Sequence, residues 1–365
     1  MIRPESASTT TTPWRRATTT VRESSISSGD SVQPGKVIGV DVGGTKTHVR
    51  VECGPDRLAD YVIPTSQWWS PGSAIECSVN AAALMRELGG DRVVGSALVV
   101  GAHGIDSDRV ADDLATELGR LSMGPVRVLN DAGLVGPAAG YPGAVISVIA
   151  GTGSIVLAMD DLGVEVRLGG HGYLVGDEGS APALVRDLVR DLLREWDRGR
   201  PDRIALTHLS NMLGLPPSAE PEEDLAAEFQ RRHSITDWGR LAPAVFAAAD
   251  AGSPLAATVI QRHASELVEL VELHIAGGQN PGAVVLAGGV VTAQPRLAEA
   301  IRVGVHQLHP RLPVVLLTDP PVGGAVLLAR QELALLSQLS HSANVTAESS
   351  PPVARSRAHI EGSRS

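Results

Sequence analysis

The chain has 365 residues, of which 43% are hydrophobic, and a formal net charge of −10. That size allows two domains with a sizeable core, and the negative charge argues against nucleic acid or an anionic membrane as a partner. Two cysteines, Cys53 and Cys77, exclude a disulfide framework and a metal-cluster spacing, and no apolar run approaches the roughly 18 residues that span a bilayer. We therefore expect a soluble cytoplasmic protein.

Both chain ends are predicted to be disordered. Residues 1–35 contain threonine and serine runs with almost no apolar content, and residues 339–365 are similarly polar. Such segments cannot bury enough surface to offset the entropy of ordering the chain. The first segment also lacks the apolar centre of a secretory signal, and a start codon placed too far upstream would equally explain it.

The first ordered stretch, residues 37–51, reads VIGVDVGGTKTHVRV and predicts a strand, a tight glycine turn and a second, alternating strand. Glycines let backbone N–H groups approach an anion, the lysine adds a positive charge, and Asp41 could hold Mg²⁺ through water. A ligand-free hairpin turn is the structural alternative. A P-loop is excluded because that motif places a glycine directly before its lysine, whereas Thr45 separates Gly44 from Lys46 here. In addition, a strand follows where the motif needs a helix. The candidate phosphate ligands are Gly43, Gly44, Thr45 and Lys46.

The same pattern returns at residues 145–159, which read VISVIAGTGSIVLAM. An apolar strand again enters a glycine–threonine turn, and a second apolar strand follows. The repeat predicts two similar half-molecules whose turns hold a nucleotide's phosphates from both sides of a cleft. The candidate ligands in this turn are Gly151, Thr152, Gly153 and Ser154.

A polar loop follows a third strand, which is predicted near residues 61–63. It contains Ser66 and Gln67, followed by Trp68 and Trp69. The tryptophans either anchor the loop by packing or belong to a loop that closes on a substrate.

Two strand ends between the hairpins carry further candidates. A helix is predicted over residues 73–88, and a buried strand over residues 97–100 leads to His103, which is either a structural loop residue or a ligand contact. Another strand ends at Asn130. The next residue, Asp131, is either the N-cap of a helix or a base that accepts a hydroxyl proton.

Glycines dominate residues 169–181, which read GGHGYLVGDEGSA and contain two adjacent carboxylates, Asp177 and Glu178. So many glycines imply a tight backbone geometry, which is costly in entropy.

The remainder is predicted to be mainly helical. Residues 182–276 have helical spacing, and a buried strand within residues 283–291 enters the Gly288–Gly289 turn. A last strand over residues 314–317 precedes a final helix that ends near residue 336.

The two hairpins resemble the phosphate loops of the actin, sugar kinase and Hsp70 superfold. Within it, three motifs are similar to the N-acetylglucosamine kinase group of the BadF/BadG/BcrA/BcrD ATPase family. The motifs are LNDAG at residues 129–133, GGHGYLVGDEGSA at residues 169–181 and LAGGVV at residues 286–291. They occur in the family's order, and the resemblance covers about residues 36–335.

This resemblance implies an α/β fold in which two ribonuclease H-like lobes enclose a nucleotide cleft. The N-terminal lobe would span residues 36–143 and the C-terminal lobe residues 144–338, with residues 182–276 as a helical insertion in the second lobe.

The resemblance also implies ATP and Mg²⁺ as cofactors, with Asp131 as the catalytic base, Asp41 organising the metal and Gly288–Gly289 carrying adenosine. His171 stands where relatives of the animal enzyme have tryptophan near the amino-sugar substituent, so the identity of the sugar stays open. The implied substrate contacts are Ser66, Gln67, His103, Asn130, Asp131, His171, Gly172 and Asp177.

The reaction implied is transfer of the γ-phosphoryl group to the 6-hydroxyl of N-acetylglucosamine or glucosamine, and a homodimer is a candidate assembly. One alternative is an ATPase activator of a 2-hydroxyacyl-CoA dehydratase or benzoyl-CoA reductase. It requires cysteines that ligate a [4Fe–4S] cluster between subunits, and neither Cys53 nor Cys77 matches that placement. A sugar-responsive repressor of the ROK type would need an N-terminal helix-turn-helix, which the polar residues 1–35 cannot form. It would also need a cysteine-rich zinc motif, which a sequence with only two cysteines lacks.

Overall fold

The computed structural model describes residues 35–69, 74–90, 93–105, 107–141, 143–160, 165–216, 221–231 and 234–348. The prediction of a disordered N-terminal tail therefore falls outside the described residues, as does the C-terminal prediction from residue 349 onward.

The first sheet has five strands in the order β3-β2-β1-β4-β5. β1 pairs antiparallel with β2 and parallel with β4, so the hairpin predicted around the first glycine turn is confirmed. The strands are β1 (Lys36–Val42), β2 (Lys46–Cys53), β3 (Asp56–Pro64), β4 (Ala97–Ala102) and β5 (Val126–Leu129). The helices connected to this sheet are α1 (Ala74–Glu87), α2 (Asp108–Ser122) and the short α3 (Val135–Ala138).

The second sheet repeats this arrangement in the order β10-β9-β6-β7-β8. β6 pairs antiparallel with β7 and parallel with β9, as β1 does with β2 and β4. Two mixed sheets of the same topology confirm the two-lobed α/β fold that the repeat predicts. The strands are β6 (Val145–Ala150), β7 (Ser154–Met159), β8 (Glu165–Gly169), β9 (Val284–Ala287) and β10 (Val314–Leu316).

Between β8 and β9 the described residues form six helices, as the helical spacing of residues 182–276 predicts. They enclose the largest hydrophobic core with the second sheet. They are α4 (Ala181–Asp197), α5 (Arg203–Leu213), α6 (Pro221–Arg231), α7 (Ile235–Gly239), α8 (Ala242–Asp250) and α9 (Pro254–Ala276). Two more helices, α10 (Gly289–Ala293) and α11 (Pro295–Leu308), lie between β9 and β10. No single helix in the described ranges has both the length and the apolarity of a membrane span, although residues 237–250 and 254–276 reach that threshold together as a pair bent by 116°.

The last helix, α12 (Val322–Glu348), corrects two boundaries of the sequence analysis. It continues past residue 336 because residues 337–348 contain neither glycine nor proline. It also packs on the first sheet rather than the second: Val326 covers Gly39, and Arg330 lies 2.7 Å from a carboxylate oxygen of Glu52. The final helix therefore belongs to the first lobe by its contacts, although it follows the second lobe in the chain.

Candidate active site

The first glycine turn leaves its ligand-forming residues open to solvent. Gly44, Thr45 and Lys46 are exposed, while the backbone N–H of Gly43 closes the turn by donating to the Lys46 carbonyl at 3.0 Å. Exposed N–H and hydroxyl groups beside an ammonium are suited to an anion. The predicted phosphate ligands therefore lie together on one hairpin tip.

A threonine that the sequence analysis did not single out holds this turn in shape. The Thr65 hydroxyl donates to the Gly43 carbonyl at 2.8 Å, and its backbone N–H donates to the Thr45 carbonyl at 3.1 Å. Because that hydroxyl proton is used, the buried Thr47 hydroxyl, 3.0 Å away, is the donor of their mutual bond. A small polar residue just after a strand that pairs with the hairpin was the signal available in the sequence.

The second glycine turn is supported by a carboxylate. Gly151 donates to the Gly153 carbonyl at 2.8 Å, and Asp177 accepts the backbone N–H groups of Ser154 and Gly172, the latter at 2.9 Å. Burial raises the pKa of the Asp177 carboxyl, and both N–H groups oppose the rise. Asp177 therefore braces the turn in this structure, and the sugar contact that the resemblance implies for it stays a prediction.

The rest of this turn divides into exposed and buried residues. Thr152 and Gly153 are exposed, as are His171 and Gly172 of the glycine-rich segment. Ser154 is buried and its N–H is directed to Asp177, so only its hydroxyl remains for the predicted phosphate contact.

The Gly288–Gly289 turn lies against the backbone of the second glycine turn. Gly288 has a φ of +101°, and a Cβ atom there would lie 2.4 Å from the Ala150 carbonyl oxygen. No side chain fits such a contact, which explains the glycine. The loop predicted to carry adenosine therefore adjoins one of the predicted phosphate turns, beside Gly151.

The predicted sugar-side loop adjoins the first glycine turn. His103 is exposed, its backbone N–H donates to the Val42 carbonyl at 2.8 Å, and its ring lies 4.0 Å from where Gly44 would carry a Cβ. The Trp69 indole donates to the His103 carbonyl at 3.2 Å, and both Trp68 and Trp69 pack on the hydrophobic core between the first sheet and helices α1 and α2. These contacts favour the packing interpretation for the tryptophans. Ser66 and Gln67 are exposed beside them.

The structure changes the N-cap assignment at the end of β5. Asn130 is the N-cap of the short 3₁₀ turn Asp131–Leu134, and its side chain accepts the Ala132 N–H at 3.1 Å. Asp131 shares that N–H at 3.1 Å but lies inside the turn, where a residue cannot be its cap. The structural alternative for Asp131 is therefore wrong, because the extended backbone that a cap requires occurs one residue earlier. Asp106, an acidic residue three positions after His103, falls outside the described residues.

Residues 38–329 match the BadF/BadG/BcrA/BcrD ATPase family. The chain belongs to this family. A relative from Clostridium acetobutylicum, an N-acetylmuramic acid/N-acetylglucosamine kinase, is 27% identical over 81% of this chain and 98% of its own. An N-acetyl-D-glucosamine kinase from Dictyostelium discoideum is 27% identical over 80% and 97%. A solved structure from Chromobacterium violaceum, provisionally assigned as an N-acetylglucosamine kinase, shares the fold with a TM-score of 0.57, at 22% identity over 81% and 99%.

In this member of the family, two carboxylates and an ammonium interact at the first turn. Loss of solvent around the partly buried Asp41 raises its pKa to about 7, the negative charge of Asp131 adds to the rise, and Lys46 opposes it. Asp41 ends β1 and Asp131 follows β5, so the first sheet brings together residues that are 90 positions apart. Two unfavourable charges at a strand end are an arrangement that a cation would relieve.

The donor set fits Mg²⁺ as that ion is usually bound. Among the described residues, no three carboxylate, histidine or cysteine side chains form a cluster able to hold a metal alone. Mg²⁺ commonly uses one or two carboxylates and completes its shell with water and substrate phosphates. Asp41, with Asp131 beside it, would hold the ion next to the first glycine turn.

A second feature absent from the sequence analysis lies beneath the glycine-rich segment. The Gly179 N–H donates to Nδ1 of the fully buried His263 at 2.8 Å, and Nε2 of His263 lies 3.1 Å from Asp187. Burial alone would raise the pKa of Asp187, but His263 and Arg186 together hold it well below its ordinary value. The segment is thereby anchored to α9 and α4. A histidine on an apolar helix face gave no sign of a partner 84 residues away.

Proposed function

We propose that this protein transfers the γ-phosphoryl group of ATP to the 6-hydroxyl of N-acetylglucosamine. Its activity class is that of an ATP-dependent sugar kinase, since the chain belongs to an ATPase family and both curated relatives are sugar kinases. The amino sugar and the hydroxyl are the proposed part, and the names of the two relatives favour the N-acetylated sugar over glucosamine.

The observation that carries the proposal is the electrostatic interaction of Asp41 with Asp131 and with Lys46 at the first glycine turn. Phosphoryl transfer depends chiefly on positioning and on charge stabilisation. A carboxylate base, a cation-binding carboxylate and an ammonium beside a phosphate turn are the parts that such a reaction requires.

Each residue of the site has a distinct role in this reaction. The first turn, with Thr45 and Lys46, and the second turn, with Thr152 and Gly153, hold the phosphates of ATP. Asp131 accepts the proton of the sugar hydroxyl while the hydroxyl oxygen attacks the γ-phosphorus of ATP. The bond between the γ-phosphorus and the oxygen that bridges it to the β-phosphorus breaks, and ADP leaves. Mg²⁺ held at Asp41 would neutralise phosphate charge. Closure of the cleft would exclude water and limit ATP hydrolysis.

Replacement of Asp131 by asparagine tests the role of the base. Asparagine keeps the size and the Oδ1 acceptor that shares the Ala132 N–H, so the free energy of unfolding should change by less than ~1 kcal/mol. Sugar-dependent ADP release should fall by roughly 10²- to 10⁴-fold, because the variant cannot take the proton. ATP affinity should remain near that of the wild type. A folded Asp131→Asn protein that phosphorylates sugar at the normal rate would refute the assignment.

A further inference from the structure

The carbonyl of Ile105 joins the two lobes next to the loop predicted to contact the sugar. It accepts the side-chain amide of Asn130 at 3.1 Å, from the same lobe, and a guanidinium N–H of Arg167 at 3.1 Å, from β8 of the second sheet. Ile105 itself is 3% exposed and directly follows the loop that contains His103. One buried carbonyl thus connects the sugar-side loop, the residue preceding Asp131 and the opposite lobe.

A carboxylate on the same strand orients the guanidinium. Arg167 lies 3.1 Å from an oxygen of Glu165, and their side chains are 25% and 18% exposed. Residues i and i+2 of a strand point to the same face, so β8 presents this pair as a unit. The other oxygen of Glu165 would lie 2.7 Å from a Cβ at Gly133, so Glu165 packs directly on the turn that begins with Asp131.

The chemistry of the bridge suits a contact that must be exact in position. Both bonds leave the same guanidinium nitrogen, Nη2, whose two N–H groups lie in the guanidinium plane, and a charged donor makes a stronger bond than a neutral one. A lysine in the same place would donate from an ammonium whose three N–H groups rotate, so the directions of its bonds would not be fixed. A hydrogen bond from Arg167 to a backbone carbonyl of the other lobe therefore fixes the position of that backbone.

We propose that Arg167, oriented by Glu165, is a positioning residue that sets the sugar-side loop and Asp131 when the two lobes approach each other. It acts through Ile105 and Asn130 and need not touch the sugar or ATP. The proposal rests on the proposed role of Asp131 as the base. Because the bridge spans the cleft, its loss should impair sugar-dependent phosphoryl transfer while leaving the handling of ATP in place.

The test compares Arg167→Met, Arg167→Lys and Glu165→Gln in the full-length protein. Arg296→Met is the matched control, since Arg296 pairs with Asp250 at 2.6 Å on the second lobe. For Arg167→Met we expect kcat with N-acetylglucosamine to fall by roughly 10- to 100-fold, as small misplacements of reacting groups do, with a raised KM for the sugar. The KM for ATP and the slow hydrolysis of ATP without sugar should stay within about twofold. Arg167→Lys and Glu165→Gln should fall between wild type and Arg167→Met.

Two results would overturn the proposal. One is an Arg167→Met protein with the sugar kinetics of the Arg296→Met control. The other is an equal loss of sugar-dependent and sugar-independent ADP release with a lowered melting temperature, because that result indicates a merely structural role. The Asp131→Asn variant is assayed in parallel. If it is inactive while Arg167→Met is normal, the bridge fails alone, and if wild type shows no amino-sugar-dependent ADP release, the proposed function itself fails.

Discussion

The substitution Thr65→Val tests the support of the first glycine turn. Valine has the shape of threonine but lacks the hydroxyl, which donates to the Gly43 carbonyl at 2.8 Å and accepts from Thr47 at 3.0 Å. Each bond contributes about 0.5–1.5 kcal/mol, and a buried hydroxyl left without its partner adds a penalty of about 1–3 kcal/mol. The Thr47 side chain is fully buried, so part of that penalty applies. We expect a loss of about 2–3 kcal/mol in the free energy of unfolding.

The same variant should bind nucleotide less well. Without the hydroxyl, the Gly43 carbonyl is free to move, although the bond from the Thr65 backbone N–H to Thr45 remains. We expect the KM for ATP to rise about 5- to 20-fold, since roughly 1–2 kcal/mol of positioning would be lost, with little change in the KM for sugar. Urea unfolding and steady-state kinetics measure both effects.

Two controls separate the hydroxyl from other causes. Thr65→Ser keeps the hydroxyl and should retain most of the stability and the ATP kinetics. Thr258→Val removes an exposed hydroxyl that bonds only within its own helix, and it should cost well under ~1 kcal/mol. If Thr65→Val behaved like either control, the hydroxyl would not support the turn, and the reasoning would be refuted.

Three further predictions concern other parts of the site. Gly288→Ala should destabilise the protein by more than ~2 kcal/mol and weaken ATP use, because a φ of +101° is strained for alanine and the added Cβ would collide with the Ala150 carbonyl. Gly289→Ala is the control: a Cβ at Gly289 meets nothing within 4 Å, so this variant should be nearly neutral in thermal melts. For Asp41, a pKa raised from 3.8 to about 7 means that the metal-free protein loses stability as the pH rises from about 4 to about 7, by up to roughly 4 kcal/mol. In EDTA, Asp41→Asn should therefore have a higher melting temperature than the wild type, and the difference should be larger at pH 8 than at pH 5. An equal difference at both pH values would contradict the raised pKa. Lys46→Ala should raise the KM for ATP about tenfold with little effect on the KM for sugar, and unchanged ATP kinetics would remove the lysine from the phosphate site.

The elements of the fold could be predicted because their signals are local. Strand alternation around each glycine turn, and its return in the second half of the chain, indicated both hairpins. The helical spacing of residues 182–276 likewise agrees with α4 to α9.

The missing parts depend on contacts between remote residues. Thr65 reaches Gly43 across 22 positions, and Arg167 reaches Ile105 across 62. The packing of α12 on the first sheet could not be predicted from the sequence of that helix either, since an apolar helix face does not indicate which sheet it covers. The position of the Asp177 carboxylate also depends on hydrogen bonds from the Ser154 and Gly172 backbone, which no pattern of residues reveals.

The central claim is tested most directly by a kinase assay of the wild-type protein with ATP and Mg²⁺ across a panel of sugars. The panel contains N-acetylglucosamine, glucosamine, N-acetylmannosamine, N-acetylmuramic acid and glucose, with ADP release as the rate and NMR of the product to locate the phosphate. We predict the highest kcat/KM for N-acetylglucosamine and a phosphate on its 6-oxygen. ADP release that no amino sugar accelerates, or a phosphate on another hydroxyl, would contradict the account.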